Sequence, residues 1–114
     1  YFSKKNLPIL AVCRGMQLIS SFNRTRLFIT KNHVTKGHDI ILNHNKIINV
    51  NSYHTYLIKK IPSQFKLLAQ HKKDKSIEAM THQNKKILCL MFHPERKSKD
   101  QIKVDKLVRD FFKI

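Results

Sequence analysis

Pro8-Ile9-Leu10-Ala11-Val12-Cys13-Arg14-Gly15-Met16-Gln17 is the stretch that decides how this chain folds. A continuous apolar run leads directly into Cys13, and a glycine follows two positions later. Beyond the glycine, apolar residues recur at three-residue steps, which is the spacing of one face of a helix. The pattern predicts a buried strand at 7–12, a sharp turn at Cys13 and a helix over 15–23.

Cys13 lies where a side chain can act as a nucleophile. A sharp turn between strand and helix exposes the turn residue and directs the first N–H groups of the helix toward it. The positive end of the helix dipole would lower the pKa of the thiol, so that more of it is the reactive thiolate. A single Cys-x-Gly is more typical of a structural cysteine beside a turn, because free cysteine is usually a core residue. Both interpretations stay open on this stretch alone.

Length and composition predict one domain without a membrane span. The chain has 114 residues, which is the usual size of a domain. Its apolar runs are shorter than the ~18 residues of a membrane helix, and no signal-peptide pattern opens it. The first residue is Tyr1, directly before the apolar strand, which indicates a fragment, a processed chain or a gene whose beginning is missing. We expect a cytoplasmic location.

Cysteine usage and charge disfavour several other classes. Cys13 and Cys89 are far apart and form neither a disulfide framework nor a zinc pattern. Cys89 lies in the apolar run 87–92, and we interpret it as inert core. The net charge of +16 suggests a polyanion partner, but the lysines are scattered and no aromatic residues interleave with them. Nucleic-acid binding is therefore disfavoured, and a basic rim that attracts a phosphate-bearing substrate is the milder alternative.

The remaining pattern predicts a β-rich middle and a closing helix. Short strands are predicted at 27–30, 39–42, 46–50, 76–81 and 87–92, with a hairpin turn at His44-Asn45 and a polar break at 51–54. Pro62-Ser63 predicts a short helical turn that carries Phe65, Leu67 and Leu68, with Ser63 as its cap. Ser98-Lys99-Asp100-Gln101 predicts a capping box before an amphipathic helix. This order of elements indicates an α/β layered fold.

A second candidate site follows the buried strand 87–92. His93 and Glu95 lie where that strand ends, and active sites of open α/β sheets gather at the carboxyl ends of strands. Pro94 keeps His93 in an extended conformation, so that His93 and Glu95 share a face. An imidazole that a carboxylate orients is what a cysteine nucleophile needs. A strand-terminal histidine beside a solvated glutamate is the alternative for these residues alone.

Four segments together resemble the class I glutamine amidotransferase family. The stretch 8–17 resembles its nucleophile motif, and Phe92-His93-Pro94-Glu95 is similar to its Trp-His-Pro-Glu. Val50-Asn51-Ser52-Tyr53-His54 is similar to the Val-Asn-Ser-x-His of the γ-glutamyl hydrolase branch (peptidase C26), and Ile77-Glu78-Ala79-Met80 matches the strand before His-Pro-Glu there. Arg14-Gly15 and Asn51-Ser52-Tyr53-His54 further resemble hydrolases of γ-glutamyl nucleotide-amidates that serve bacterial surface-polysaccharide modification.

The resemblance implies a three-layer αβα flavodoxin-like domain, with residues 1–114 forming a partial domain whose N-terminal part is missing. It implies a catalytic triad of Cys13, His93 and Glu95, a thioester intermediate, and no cofactor or metal. The backbone N–H of Arg14 would be one oxyanion donor. The residues that would contact the bound glutamyl group are Gln17, Ser52 and His54.

The sequence also departs from the family pattern. Ala11 replaces a glycine of many members, and Phe92 replaces the usual tryptophan. The glycine-bearing loop that supplies the second oxyanion donor belongs to the missing part, and losing such a donor costs about 10²–10³ in rate. The missing part also removes neighbours from the sheet, and we therefore expect this chain alone to be poorly folded or inactive.

Three functions remain at this point: a free-standing γ-glutamyl amide hydrolase acting on a small metabolite, a glutaminase component that delivers ammonia to a synthetase partner, and an inactive or basic nucleic-acid-binding fragment. The other histidines carry less weight. His33, His38 and His44 offer a weak metal-cluster pattern with only Asp39 nearby, and 33–38 is a guessed border of the pocket. His71 and His82 are predicted surface turn residues.

Overall fold

The computed structural model describes residues 7–22, 27–29, 34–42, 45–53 and 56–113. The elements in these ranges, in chain order, are β1 (Ile9–Val12), α1 (Arg14–Phe22), β2 (Leu27–Ile29), β3 (Val34–Leu42), β4 (Ile47–Tyr53), β5 (Tyr56–Ile58), β6 (Phe65–His71), β7 (Ile77–His82), β8 (Ile87–Leu90) and α2 (Gln101–Phe112). The predicted succession of strand, helix, β-rich middle, buried strand and helix is confirmed.

The described strands form one large mixed sheet and one small sheet. The large sheet has the order β1-β8-β7-β6-β3-β4, and β2 pairs with β5 separately. Strands β1 and β8 are parallel, whereas the other pairings are antiparallel. The carboxyl ends of β1 and β8 therefore meet at one end of the sheet, which is where Cys13 and His93 follow them.

The two helices cover opposite faces of the large sheet. Met16 and Ile19 of α1 pack in a core cluster with Ala11, Cys89 and Met91. On the other face, Val104, Leu107, Val108, Phe111 and Phe112 of α2 pack in a cluster with Leu88, Leu90 and Phe92. Helix, sheet and helix thus form three layers, as predicted.

Strand β8 is covered on both faces, whereas β1 is not. All four residues of β8 are buried, as predicted, and burial raises the pKa of the Cys89 thiol to about 12, which fits inert core. The prediction that β1 is fully buried is wrong, because Leu10 is 41% exposed. Among the described strands, β1 pairs with β8 alone and forms an edge of the sheet.

The predicted helical turn after Pro62-Ser63 is also wrong. Residues 65–71 form β6, which pairs with β7 on one side and with β3 on the other. Phe65 N–H donates to the carbonyl of Pro62 at 3.2 Å, so that Ser63 lies in a tight turn and caps no helix. Pairing with two neighbouring strands overrides the local helical spacing of the apolar residues.

Strand β4 continues through the predicted polar break. Asn51 and Ser52 are buried strand residues, and β4 ends at Tyr53. The predicted hairpin between β3 and β4 is confirmed, with Asn45 in its turn at φ 61°; His44 lies outside the described residues. Strand β3 is longer than predicted and contains a bulge, in which Gly37 adopts φ +127°.

Half of the predicted capping box forms before α2. Gln101 Oε1 accepts a hydrogen bond from Ser98 N–H at 2.8 Å, as a capping box requires. The Ser98 hydroxyl instead accepts from Asn51 N–H, and the helix begins later, with Asp100 as its N-cap. The prediction of a full capping box at Ser98 is therefore wrong, because the Ser98 hydroxyl accepts its hydrogen bond from β4 and not from the first turn of the helix.

Two of the minor histidine predictions can be judged. His71 is buried at the end of β6, against the prediction, with its ring 4.3 Å from that of His38. His38 Nε2 lies 3.1 Å from the buried Glu78 carboxylate. His82 borders a turn as predicted, since its Nδ1 accepts from the N–H groups of Asn84 and Lys85. His33 lies outside the described residues.

Candidate functional site

Cys13 occupies a strained turn between β1 and α1. Its φ is 51°, in the left-handed region that a non-glycine residue adopts at a cost, and such strain clusters at functional sites. Cys13 N–H donates to the Leu90 carbonyl at 2.7 Å, and the Cys13 carbonyl accepts from Gln17 N–H at 3.0 Å. The turn is therefore bonded to the end of β8 on one side and to the first turn of α1 on the other.

The pKa of the Cys13 thiol is raised, against the prediction of a lowered one. Burial is the largest cause and disfavours the thiolate, and the charge of Glu78 adds to it. A hydrogen bond from the Arg14 backbone N–H and the charges of Arg14 and Arg96 act in the opposite direction but do not outweigh burial. The helix start does favour the thiolate, as the sequence predicts, but desolvation is the stronger effect.

His93 and Glu95 form a hydrogen-bonded pair. His93 Nδ1 lies 2.8 Å from Glu95 Oε2, with side-chain exposures of 17% and 60%. Burial would raise the pKa of the Glu95 carboxyl, but hydrogen bonds from its own backbone N–H and from His93 lower it overall. The carboxylate is thus ionised at neutral pH and can hold the imidazole in one orientation.

The same end of the sheet carries Cys13 and the His93–Glu95 pair. Val12 is in register with Leu90, so that Cys13 follows β1 where 91–93 follow β8. The positive charge of Arg96, in the segment just after the pair, favours the Cys13 thiolate and so lowers the pKa of the thiol. A thiol and an oriented imidazole at one sheet end can support nucleophilic chemistry on a carbonyl.

Of the three predicted substrate-contacting residues, two lie within the described part of the chain. The Gln17 side-chain amide donates to the Tyr56 carbonyl at 3.4 Å and to Met91 Sδ at 3.6 Å, so that it lies over the end of β8. Ser52 is fully buried on β4, and among the described residues its hydroxyl has no hydrogen-bond partner. His54 lies outside the described residues.

Asn51 contacts the site, although the sequence patterns assigned it no role of its own. Its Oδ1 accepts from His93 N–H at 2.8 Å, and its Nδ2 donates to the His93 carbonyl at 2.7 Å. One feature of the sequence could have indicated a role for Asn51. It follows strand-forming residues directly, and asparagine is rare in strands unless its side chain has a specific partner. Because residues 51–54 were interpreted as a polar break between strands, a loop was predicted there instead.

Neither a metal centre nor a membrane helix is found in the part of the chain that the structure describes. No group of three or more His, Cys, Asp or Glu side chains among these residues is arranged to hold a metal ion. No helix in the described ranges is long and apolar enough to cross a membrane. The candidate chemistry of the described site rests on Cys13, His93 and Glu95.

Comparison with known proteins points to one family. The family model for glutamine amidotransferase class-I matches residues 1–113. A γ-glutamyl-CDP-amidate hydrolase of Campylobacter jejuni is 32% identical over 95 residues, covering 83% of this chain and 46% of the relative. One of the subunits of the glutamine-hydrolysing GMP synthase of Methanocaldococcus jannaschii is 35% identical over 97 residues, covering 78% of this chain and 51% of the relative.

The fold agrees with this comparison. The crystal structure of a protein assigned as a GMP synthase subunit, from Thermoplasma acidophilum, matches with a TM-score of 0.74 at 21% identity, covering 100% of this chain and 65% of that one. The chain spans about half the length of the curated relatives named above. The family model, the relatives and the fold agree: the chain belongs to the class I glutamine amidotransferase family.

Proposed function

We propose that this protein hydrolyses a γ-glutamyl amide by a cysteine-dependent mechanism. The observation that carries the proposal is the strained Cys13 turn at the sheet end where the hydrogen-bonded His93–Glu95 pair follows the adjacent parallel strand. Membership of a family of amide hydrolases supports it. The substrate is a small molecule with a γ-glutamyl group, and the predicted cytoplasmic location stays a prediction.

In the proposed reaction, the Cys13 sulfur attacks the γ-carbonyl carbon after His93 has taken the thiol proton. The C–N bond then breaks, His93 returns the proton to the leaving amine, and a thioester to Cys13 remains. His93 next takes a proton from water, whose oxygen attacks the thioester and releases the γ-carboxylate and the thiol. Glu95 holds the imidazole, and the Arg14 backbone N–H stabilises the oxyanion.

The raised pKa of the Cys13 thiol fits this order of steps. A thiol that is mostly protonated at neutral pH needs a base to take its proton as substrate binds. Because the neighbouring Glu95 is ionised, it favours the imidazolium that forms when His93 takes that proton. Gln17, Ser52 and His54 are the proposed contacts of the glutamyl group.

Two versions of this function differ in the amine that is released from the γ-glutamyl group. Similarity to a γ-glutamyl-CDP-amidate hydrolase favours a free-standing enzyme that acts on a γ-glutamyl nucleotide-amidate. A basic surface, with a net charge of +16, suits such a phosphate-bearing substrate. Similarity to a subunit of GMP synthase favours the second candidate, a glutaminase component that passes ammonia to a synthetase partner.

Release of glutamate from γ-glutamyl substrates by the full-length protein tests the proposal. We expect Cys13→Ala and His93→Ala to lower kcat by about 10⁴-fold or more, because members of a triad act as a unit. Cys89→Ala and His82→Ala are the matched controls and keep kcat within about 2-fold. Undiminished hydrolysis by the Cys13 or the His93 variant would rule out the triad.

Partner dependence distinguishes the two versions, and the same samples test the third function. Hydrolysis by the protein on its own supports the free-standing enzyme, and hydrolysis only with a synthetase supports the glutaminase component. The absence of turnover under both conditions, together with nucleic-acid binding that Cys13→Ser leaves intact, would favour the basic fragment instead.

A further inference from the structure

The Asn51 side chain pairs with the main chain of His93 as a second peptide group would. Oδ1 accepts from His93 N–H at 2.8 Å, while Nδ2 donates to the His93 carbonyl at 2.7 Å. Nδ2 also lies within hydrogen-bond distance of the Arg96 carbonyl, at 3.1 Å, and of Ser98 Oγ, at 2.9 Å. One amide therefore contacts both ends of the segment 93–98.

These bonds begin where the strand ladder of β8 ends. Met91 N–H still donates to the Glu78 carbonyl of β7, at 2.7 Å. Two residues further on, His93 pairs with Asn51 of β4, which is at the opposite edge of the sheet order. Pro94, which follows, has no N–H to donate. The Asn51 amide thus replaces a strand neighbour at the residue that carries the imidazole.

Asn51 is itself held firmly. It is 4% exposed and lies on β4 between the buried residues Val50 and Ser52. Its own N–H donates to Ser98 Oγ at 2.8 Å. If the oxygen and nitrogen of its amide were exchanged, Nδ2 would face the His93 N–H, donor to donor, and Oδ1 would face two carbonyls, acceptor to acceptor. The hydrogen bonds therefore permit only one orientation of the amide.

The carboxylate of the His93–Glu95 pair is open to water. Glu95 is 60% exposed at its side chain, so that its hydrogen bond holds the imidazole less firmly than the same bond to a buried carboxylate would. A displacement of about 1 Å at a reacting group can cost about 10²-fold in rate. The position of the imidazole therefore depends also on the His93 main chain, to which the Asn51 amide is hydrogen-bonded.

We propose that Asn51 is the positioning residue of the acid–base pair, fixing the His93 backbone so that the imidazole faces Cys13. This inference rests on the proposed function, since it assigns Asn51 a role in that reaction. It also explains the residue type. Aspartate would present an acceptor to the carbonyls of His93 and Arg96, and leucine would remove every hydrogen bond that the Asn51 amide makes to them.

The test compares Asn51→Asp with Asn49→Asp in the full-length protein. Asn49 lies on the same strand and its Nδ2 also donates a side-chain hydrogen bond, to Asp39 Oδ1 at 2.9 Å, but this bond does not reach His93. We expect kcat of Asn51→Asp to fall about 10²-fold with KM changed less than about 3-fold. Asn49→Asp should keep kcat within about 2-fold while losing stability in urea unfolding.

Equal kcat values for the two variants would overturn the proposal, because the effect would then be general destabilisation or none. If Asn51→Asp does not fold, Ser98→Ala replaces it. That change removes the hydroxyl that contacts Asn51 N–H and Nδ2 and should lower kcat about 3- to 10-fold. A folded Ser98→Ala variant with unchanged kcat would then contradict the positioning role.

An activity-independent measurement separates this inference from the proposed function. In protein with ¹⁵N-labelled histidine, the imidazole nitrogen shifts of His93 should change in Asn51→Asp and stay unchanged in Asn49→Asp, with His82 as the internal reference. Unchanged His93 shifts in Asn51→Asp would overturn the positioning role. Changed shifts in a protein without Cys13-dependent turnover would support positioning and reject the proposed function.

Discussion

The two halves of the candidate site are supported in different ways. Cys13 follows β1, an edge strand among those described, on which Leu10 is 41% exposed. His93 follows β8, which is buried at all four residues, and the segment after it is bonded to β4. The proposed nucleophile thus follows an edge strand of the described sheet, and the proposed acid–base pair follows a strand that is buried at all four residues.

The attachment to β4 extends beyond Asn51. Asp100 Oδ2 accepts from Asn49 N–H at 2.7 Å, and Asp100 N–H donates to the Asn49 carbonyl at 3.3 Å. Residues 98–100 therefore bond to the outer edge of β4 much as another strand would. Local strain and helix-start hydrogen bonds characterise the turn of the proposed nucleophile, whereas long-range polar contacts hold the segment of the proposed acid–base pair.

Substitution of the two glycines, Gly37 near β4 and Gly15 near Cys13, gives the largest expected difference in the free energy of unfolding. A Cβ at Gly37, in the β3 bulge, would lie 2.7 Å from the Val50 carbonyl oxygen, and φ is +127°. A Cβ at Gly15, two positions after Cys13, would meet Ala11 Cβ alone among the described residues, at an ordinary 3.5 Å. We expect Gly37→Ala to lower the free energy of unfolding by about 3 kcal/mol and Gly15→Ala to change it by less than about 0.5 kcal/mol.

Urea unfolding followed by circular dichroism measures both glycine variants. Similar losses in the two would contradict the contrast between a tightly packed hairpin and a tolerant turn. The Gly37 change would also displace Val50, which precedes Asn51, so that the same variant should weaken the anchoring of His93.

The two cysteines provide a smaller contrast of the same kind. Cys89 is fully buried in β8, and a serine there would bury a hydroxyl in an apolar cluster. We expect Cys89→Ser to cost about 2 kcal/mol of unfolding free energy and Cys13→Ser less than about 0.5 kcal/mol. Equal costs in thermal or urea unfolding would show that the edge and the centre of the sheet are equally constrained.

The smallest expected effect is the reactivity of the free thiol near neutral pH. Because burial raises the pKa of Cys13, little thiolate is present at pH 7, and the rate of alkylation by iodoacetamide should rise with pH through about pH 9 without a plateau. Mass spectrometry of the Cys13 peptide measures it, and Cys13→Ser provides the background. A plateau below about pH 8 would mean that the thiolate is favoured after all.

Sequence patterns predicted the turns that carry the proposed catalytic residues better than they predicted the residues that hold them in place. The Cys13 turn and the β8–His93–Glu95 segment were both predicted, because each depends on a short run of apolar residues and its end. The raised pKa of the thiol was not, since burial depends on the packing around the turn. The role of β4 was missed for a similar reason: Asn51 contacts residues more than 40 positions away, and no local pattern encodes that contact.

The same distinction between local and long-range information applies to the fold. The helices and the central strand follow from periodicity, whereas β6 was predicted as a helical turn because its strand state depends on its neighbours β3 and β7. Strand β1 was predicted as buried from its composition alone. Its apolar residues favour burial, but β1 is an edge strand of the described sheet and Leu10 is 41% exposed.

Mapping the covalent intermediate tests the central claim most directly. The full-length protein is mixed with a γ-glutamyl amide, quenched in acid during turnover, digested and analysed by mass spectrometry. We predict one glutamyl group on the peptide that contains Cys13, lost on treatment with hydroxylamine as a thioester would be, and an unmodified Cys89 peptide. Turnover without any adduct on Cys13, or with the adduct on another residue, would contradict the assignment of Cys13 as the nucleophile.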